Sequence, residues 1–204
     1  SEMFLINWRD QLLHKAHIDH PFLGGEFSPD GATIMLSLTD SWAGLILDSA
    51  SGEELSTLTG FETAAPVYYV SFAADNRHAI WAARATIQLS DIATNTLYPA
   101  LYHEDFVTAY ATSQDGQFLA VSVYDTIEGV SQPVVILYNA ESGTVLQKFP
   151  LPQAAYDLDF SPDGTTLAAA LNDEIVFINT QTKTVIGNLP LFQYGESPDT
   201  AFRV

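Results

Sequence analysis

Phe27-Ser28-Pro29-Asp30-Gly31 recurs as Phe160-Ser161-Pro162-Asp163-Gly164, and looser copies stand at Phe72-Ala73-Ala74-Asp75-Asn76 and Thr112-Ser113-Gln114-Asp115-Gly116. Successive copies begin 45, 40 and 48 residues apart. Three place proline or a small residue before Asp, and all four follow Asp with a residue that tolerates positive φ, which is the chemistry of a tight turn. A second marker follows each first one, at Asp48 to Gly52, Asp91 to Asn95, Asn139 to Gly143 and Asn179 to Lys183. Every one has Asp or Asn first and Ser or Thr fourth. Two turn signals recurring in phase four times make the chain a repeat.

Between the markers lie short β-branched and aromatic runs, such as Val67 to Phe72, Gln117 to Val123, Pro133 to Tyr138 and Glu174 to Asn179. They predict four strands per unit, with the first marker joining the first strand to the second and the other joining the third to the fourth. Both markers then fall on one end of each unit. Four antiparallel strands at this period are the pattern of a β-propeller blade, whereas ankyrin and tetratricopeptide units are helical and shorter. Residues 1–204 are thus expected to form a single all-β domain of about five blades, four of them complete. The complete blades run approximately over 22–60, 66–101, 106–149 and 155–189, and 3–17 and 191–204 contribute to a terminal blade. Trp8 to His17 could carry a helical stripe of Leu12, Leu13 and Ala16. Two strands around Arg9 and Asp10 keep the repeat in phase, and that is the reading adopted.

Two closures stay open. Thr200 to Val204 could be a lone first strand, which makes the chain an arc of a larger ring. Alternatively, Ser197-Pro198-Asp199-Thr200 could be a fifth turn, so that both termini share one blade and no edge is left unpaired.

The two turn markers resemble those of WD-repeat propellers, and Asn179-Thr180-Gln181-Thr182-Lys183-Thr184-Val185 is similar to the surface-layer-like YVTN propeller repeat. The resemblance covers nearly the whole chain. At the name-giving Trp-Asp pair stand Leu47-Asp48, Ser90-Asp91, Tyr138-Asn139 and Ile178-Asn179. The Gly-His pair before the first strand is also absent, with His103 and His20 isolated. That leaves the family's His-Ser-Trp-Asp bond network without its residues. Asp40, Asp125 and Asp173 match the family's aspartate in the turn between second and third strands, and Arg84 lies near that place in the second repeat. The resemblance implies an all-β propeller, a fold that does not by itself settle function.

Charge narrows the partners. Lys and Arg number 7 against 25 Asp and Glu, a net charge of −18, in a chain only 16% charged where about 25% is usual. Such a surface repels phosphate backbones and anionic lipid, so no nucleic acid is expected as a partner. No apolar run reaches the about 18 residues of a membrane span, so no membrane insertion is expected. No basic and hydrophobic leader is visible at Ser1-Glu2-Met3, and the compartment stays open. There is no cysteine, hence no disulfide frame, thiol nucleophile or thiolate metal site.

Chemistry-bearing residues are few. His14, His17 and His20 would share a helix face suited to zinc, but on a strand His14 and His20 lie about 20 Å apart and His17 points the other way. Asp157 and Asp159 share one face of an innermost strand and could chelate a hard cation or act as an acid/base pair. The matching positions Glu26, Ser71 and Ala111 build no carboxylate ring.

His103, Glu104 and Asp105 precede a first strand, and the loop Asp125 to Gln132, with Glu128 in it, falls on the same end, opposite the marker turns. A histidine beside carboxylates could be a general base, yet no nucleophile is set opposite it. The aromatics Tyr68, Tyr69, Tyr102, Phe106 and Tyr110 lie near this end and could mark a binding hot spot. Neither a phosphate-cradling glycine loop nor a nucleophile elbow occurs.

The reading is of a non-enzymatic protein- or peptide-binding or scaffold module, part of a larger assembly. It has no catalytic residue, metal site or cofactor, and His103, Glu104, Asp105, Asp125 and Glu128 are its candidate contacts. An open ring would favour self-association. The alternatives are a propeller enzyme or a Ca²⁺- or small-ligand-binding protein using an acidic channel, and a purely architectural segment.

Overall fold

A computed structural model describes residues 2–6, 12–39, 43–60 and 67–191, with backbone alone for 2–6, 12–17 and 67–69. Strands β1 (Glu2–Ile6) and β2 (Leu12–His17) pair antiparallel, so the N-terminal stretch is a strand pair and not a helix. The first sheet contains β3 (Phe22–Phe27), β4 (Thr33–Leu38), β5 (Gly44–Asp48) and β6 (Glu54–Leu58). The second has β7 (Val67–Phe72), β8 (His78–Ala83) and β9 (Thr86–Asp91), and its outer strand is split into β10 (Thr96–Leu97) and β11 (Leu101–Tyr102), both paired with β9. The third comprises β12 (Ala109–Thr112), β13 (Phe118–Ile127), β14 (Val130–Asn139) and β15 (Val145–Pro150). The fourth comprises β16 (Asp157–Phe160), β17 (Thr166–Ala170), β18 (Glu174–Asn179) and β19 (Thr184–Pro190). Each sheet is an antiparallel meander in chain order, and no helix occurs among the described residues.

Local chemistry makes the turns. Gly31, Asn76, Gly116 and Gly164 close the first markers at φ of 73°, 58°, 70° and 68°. Gly52, Asn95, Gly143 and Lys183 close the second ones at 71°, 52°, 67° and 57°. Glycine and asparagine reach this left-handed region at little steric cost, whereas Lys183 reaches it against its Cβ. In three first markers a serine hydroxyl donates to the turn aspartate at 2.6 Å, Ser28 to Asp30, Ser113 to Asp115 and Ser161 to Asp163. In the second markers the Asp or Asn oxygen accepts from the N–H and hydroxyl of the residue three places on, as from Ser51 to Asp48 at 2.7 and 3.0 Å. These are Asx turns, in which a short side chain satisfies main-chain donors that the turn would orphan.

In the second and third sheets the two middle strands are buried on both faces, because each of these sheets lies between two others. Met35, Ile46 and Leu58 of the first sheet pack with Val70, Ala79, Trp81 and Ala83 of the second. Ile80, Ile87, Leu89 and Leu101 on the other face of the second sheet pack with Leu119, Val121 and Ile136 of the third. Val135, Leu137 and Phe149 then meet Leu158, Leu167, Val176 and Ile178 of the fourth. Trp81 is fully buried, and its indole N–H donates to Ser90 Oγ at 2.8 Å, so its area is removed from water without stranding a donor.

Polar stitches cross the same interfaces. Ser37 Oγ donates to Val70 O at 3.0 Å and accepts from Val70 N at 2.9 Å. Ser122 Oγ accepts from Ala155 N at 3.1 Å.

The stretch expected to be an irregular loop is regular. β13 and β14 are ten residues each, paired down to Ile127 and Val130. The hairpin turns on Glu128 and Gly129 at φ of 53° and 81°, the two positive values of a tight primed turn. Asp125 is therefore a strand residue facing Gln132 and not a turn aspartate, because β-branched Thr126, Ile127 and Val130 carry the ladder outward. Asp173 does sit in a bend, and Asp40 lies outside the described residues.

Candidate functional site

The end of the third sheet that carries this long hairpin gathers the residues singled out from sequence. Glu104 Oε2 accepts from Thr126 Oγ1 at 2.9 Å, which ties the connection before β12 to the hairpin. Asp125 forms an ion pair with Lys148 of β15. Asp105 caps the N–H of Phe106 at 2.7 Å, and the Arg84 guanidinium lies over the Phe106 ring, 3.9 Å from its centroid. Glu128 stands exposed at the hairpin tip. Four of the five candidates thus reach this end with solvent-accessible side chains, while His103 turns inward.

The His103 ring packs edge-on against Tyr138, with centroids 6.0 Å apart, and its Nε2 is buried without a hydrogen-bond partner. Burial pushes its pKa down to about 4 against the attraction of Asp125, with Lys148 adding to the fall. The imidazole is thus neutral near pH 7. Burial, helped by Asp125, pushes the Tyr138 hydroxyl up to about 12. The His103 ring is an inward-facing wall of this end, and burial disfavours its cationic form.

In and before this hairpin Tyr102, Phe106, Tyr124 and Val130 are exposed, at 73%, 47%, 40% and 62%. A shallow 260 Å³ pocket lined by Ala82, Arg84, Phe106, Val107 and Tyr110 opens beside them. Tyr68 and Tyr69 belong to β7, and their side chains lie outside the described residues.

Asp157 and Asp159 occupy β16 and face a different space. A 440 Å³ cavity is lined by Glu26 of β3, Ser71 of β7, Tyr110 of β12 and both aspartates, so the first strand of every sheet borders it. Glu26 is already engaged: its carboxylate accepts from Phe72 N, and burial raises its pKa against that bond. Asp157 accepts from Leu158 N at 3.0 Å. No group of three His, Asp or Glu side chains that could hold a metal ion exists among the described residues. His14 and His17 lie on β2 with side chains outside the described residues, and His20 is exposed.

One network was not anticipated. Asp75 Oδ2 meets His78 Nδ1 at 2.5 Å, His78 Nε2 meets the Tyr98 hydroxyl at 3.0 Å, and Arg77 binds Asp91 at 3.0 Å. Burial raises the Asp75 pKa, but bonds from the His78 ring and from the N–H groups of Arg77 and His78 outweigh it and hold the carboxyl below its usual range. The sequence signal was the missing serine. At Ala73 no hydroxyl reaches Asp75, and His78 takes its place. Both ring nitrogens are engaged, so the triad braces a turn and offers no free base. It opens on a 340 Å³ cleft shared with Gln117, Asn139 and Glu141 of the third sheet.

No family model and no curated protein matches the chain. Solved structures do: 1145 chains resemble it, a fold common enough to say little about activity. One is Kuenenia stuttgartiensis hydrazine synthase, at 15% identity and a TM-score of 0.65, over 86% of this chain and 51% of that one. The chain therefore spans about half the length of that neighbour, and the likeness is one of fold alone.

Proposed function

We propose that the chain is a non-enzymatic recognition module, a β-propeller segment that binds a protein or peptide on the end carrying the β13–β14 hairpin. The four sheets are its blades. Two features support that arrangement: consecutive sheets stack face to face through apolar cores, and all four first strands border one cavity. The observation that carries the binding reading is the cluster of exposed Tyr102, Phe106, Tyr124 and Val130 around a hairpin pinned by Asp125, Lys148 and Glu104. Aromatic groups rimmed by charge are the usual anchors of an interface, and a pinned hairpin presents them at little ordering cost. The acidic rim selects partners with basic or donor-rich surfaces.

A photo-crosslinking residue at position 124 should form one discrete adduct with a protein in extracts of the source cells, while the same residue at position 186 forms none. The Tyr102→Ala, Tyr124→Ala, Val130→Asp triple variant should lose binding and keep its melting temperature, since those side chains are exposed. A turnover that survives purification and disappears in His103→Ala or Asp125→Ala would sink the non-enzymatic reading.

A further inference from the structure

The second and third sheets carry three cations, and two of them are spent on carboxylates. Arg77 pairs with Asp91 and Lys148 with Asp125. The Arg84 guanidinium has no ion pair or hydrogen bond among the described residues; it lies over the Phe106 ring, 3.9 Å from its centroid. Its charge also runs against the repeat. The corresponding turn of the fourth sheet carries Asp173, whose carboxylate accepts from Gln153 at 3.1 Å. In a molecule of net charge −18, an arginine held on an aromatic ring without an acidic partner is a group left open to an anion.

The turn that carries Arg84 is fastened on its far side. Ala83 pairs with Thr86, so Arg84 and Ala85 alone make the β8–β9 turn. The Val107 N–H donates to Arg84 O at 3.0 Å and the His103 N–H to Ala85 O at 2.8 Å, which ties the turn to the connection before β12. The 260 Å³ pocket at this junction is lined mostly by apolar groups, Ala82, Ala83, Phe106, Val107 and Tyr110, and among the described residues Arg84 is its one charged member. Its volume falls below the about 300 Å³ at which pockets for drug-sized molecules begin, so it suits a single amino-acid side chain and the group attached to it.

We propose that this pocket takes the C-terminal residue of a partner polypeptide, with its apolar side chain against Ala82, Ala83 and Val107 and its carboxylate on the Arg84 guanidinium. Arginine's planar fork of N–H donors matches a carboxylate bidentately, and an aromatic face holds the fork without using up those donors. A small free acid is a poorer occupant. The net charge of −18 repels it, and it brings nothing to offset that repulsion. A polypeptide does: basic side chains upstream of its end lie against Glu104 and Asp105, which stand exposed in the connection that fastens the turn. The inference rests on protein or peptide recognition at the hairpin end and names the part of the partner that is recognised.

The test is fluorescence polarisation of a labelled six-residue peptide, with two lysines upstream and leucine at its C-terminus, titrated with the 204-residue protein. The free acid should bind about tenfold more tightly than the C-terminal amide, although the net charge of the protein by itself favours the amide. Arg84→Gln should weaken the acid about tenfold and leave the amide unchanged, and Arg84→Lys should recover part of the difference. Arg84 is exposed, so neither variant should move the melting temperature by more than about 2 °C. Glycine in place of the terminal leucine should weaken binding about tenfold. An amide that binds as well as the acid overturns the proposal, as does a preference for the acid that outlives Arg84→Gln, or an acid that does not bind at about 1 mM protein. N-acetyl-leucine that binds as tightly as the peptide assigns the pocket to a small free acid and overturns it too. In each of those cases recognition at the hairpin end still stands or falls by the crosslink from position 124.

Discussion

Gly116 and Gly31 close the same turn in different repeats, at φ of +70° and +73°, and replacing each by alanine separates two costs that are usually mixed. At Gly31 an added Cβ meets nothing within 4 Å. Gly31→Ala therefore bears only the left-handed backbone penalty, about 1 kcal/mol. At Gly116 the Cβ would come within 2.2 Å of Asp75 Oδ2. That oxygen is the one His78 Nδ1 holds, while Oδ1 binds the N–H groups of Arg77 and His78 at 2.9 and 3.0 Å. The carboxylate must move and lose a hydrogen bond to a charged group, about 2 kcal/mol more. Urea denaturation followed by circular dichroism should thus place Gly116→Ala about 3 kcal/mol below wild type and Gly31→Ala about 1, with the slope unchanged. In an Asp75→Ala background Gly116→Ala should fall back to about 1 kcal/mol, because the colliding group is gone. Equal losses for the two single variants would refute the claim that Asp75 is held in place by His78.

Other outcomes follow from single sites. The folded pKa of His103, about 4, lies below its ordinary 6.5, so the unfolded chain binds the proton first. This site's contribution is therefore complete above about pH 6.5 and is lost as pH falls through 4, on the order of 3 kcal/mol in all. His103→Gln should flatten that limb of the pH–stability curve. Lys183→Gly should stabilise by about 0.5 kcal/mol in the same urea assay, by relieving a left-handed lysine where Gly52 and Gly143 stand in other repeats. Ser37→Ala should cost about 2 kcal/mol, since it strands the buried N–H and carbonyl of Val70 together. Ser37→Thr, which keeps the hydroxyl, should recover part of that loss.

The strands and turns were legible because their causes are local. An Asp or Asn oxygen reaches an N–H two or three residues on, and glycine accepts positive φ whatever surrounds it, so both turn markers could be found by eye. The hairpin was misread because Asp125 imitates a turn residue; its place in the ladder depends on Gln132 opposite it. That Glu104, Asp105, Asp125 and Glu128 lie on the end opposite the marker turns was legible, since it follows from strand count alone. His103 was not legible as an inward group, because its burial comes from Tyr138, 35 residues away in the chain. The bracing of Asp75 by His78 and Tyr98 left only an oblique trace, the alanine where serine was due.

The 204 residues by themselves determine that four-stranded antiparallel units repeat, where each turns, and which residues are apolar enough to be buried. Tertiary structure alone decided what lies on either side of each unit. Leu58, Leu101, Phe149 and Leu189 read alike in sequence, yet three are sealed and one is half open. The reason is physical: a strand's alternation and a turn's φ are set within a few residues, whereas burial, and with it the charge state of His103 and the bond from Phe72 to Glu26, exists only once a neighbouring sheet has excluded water.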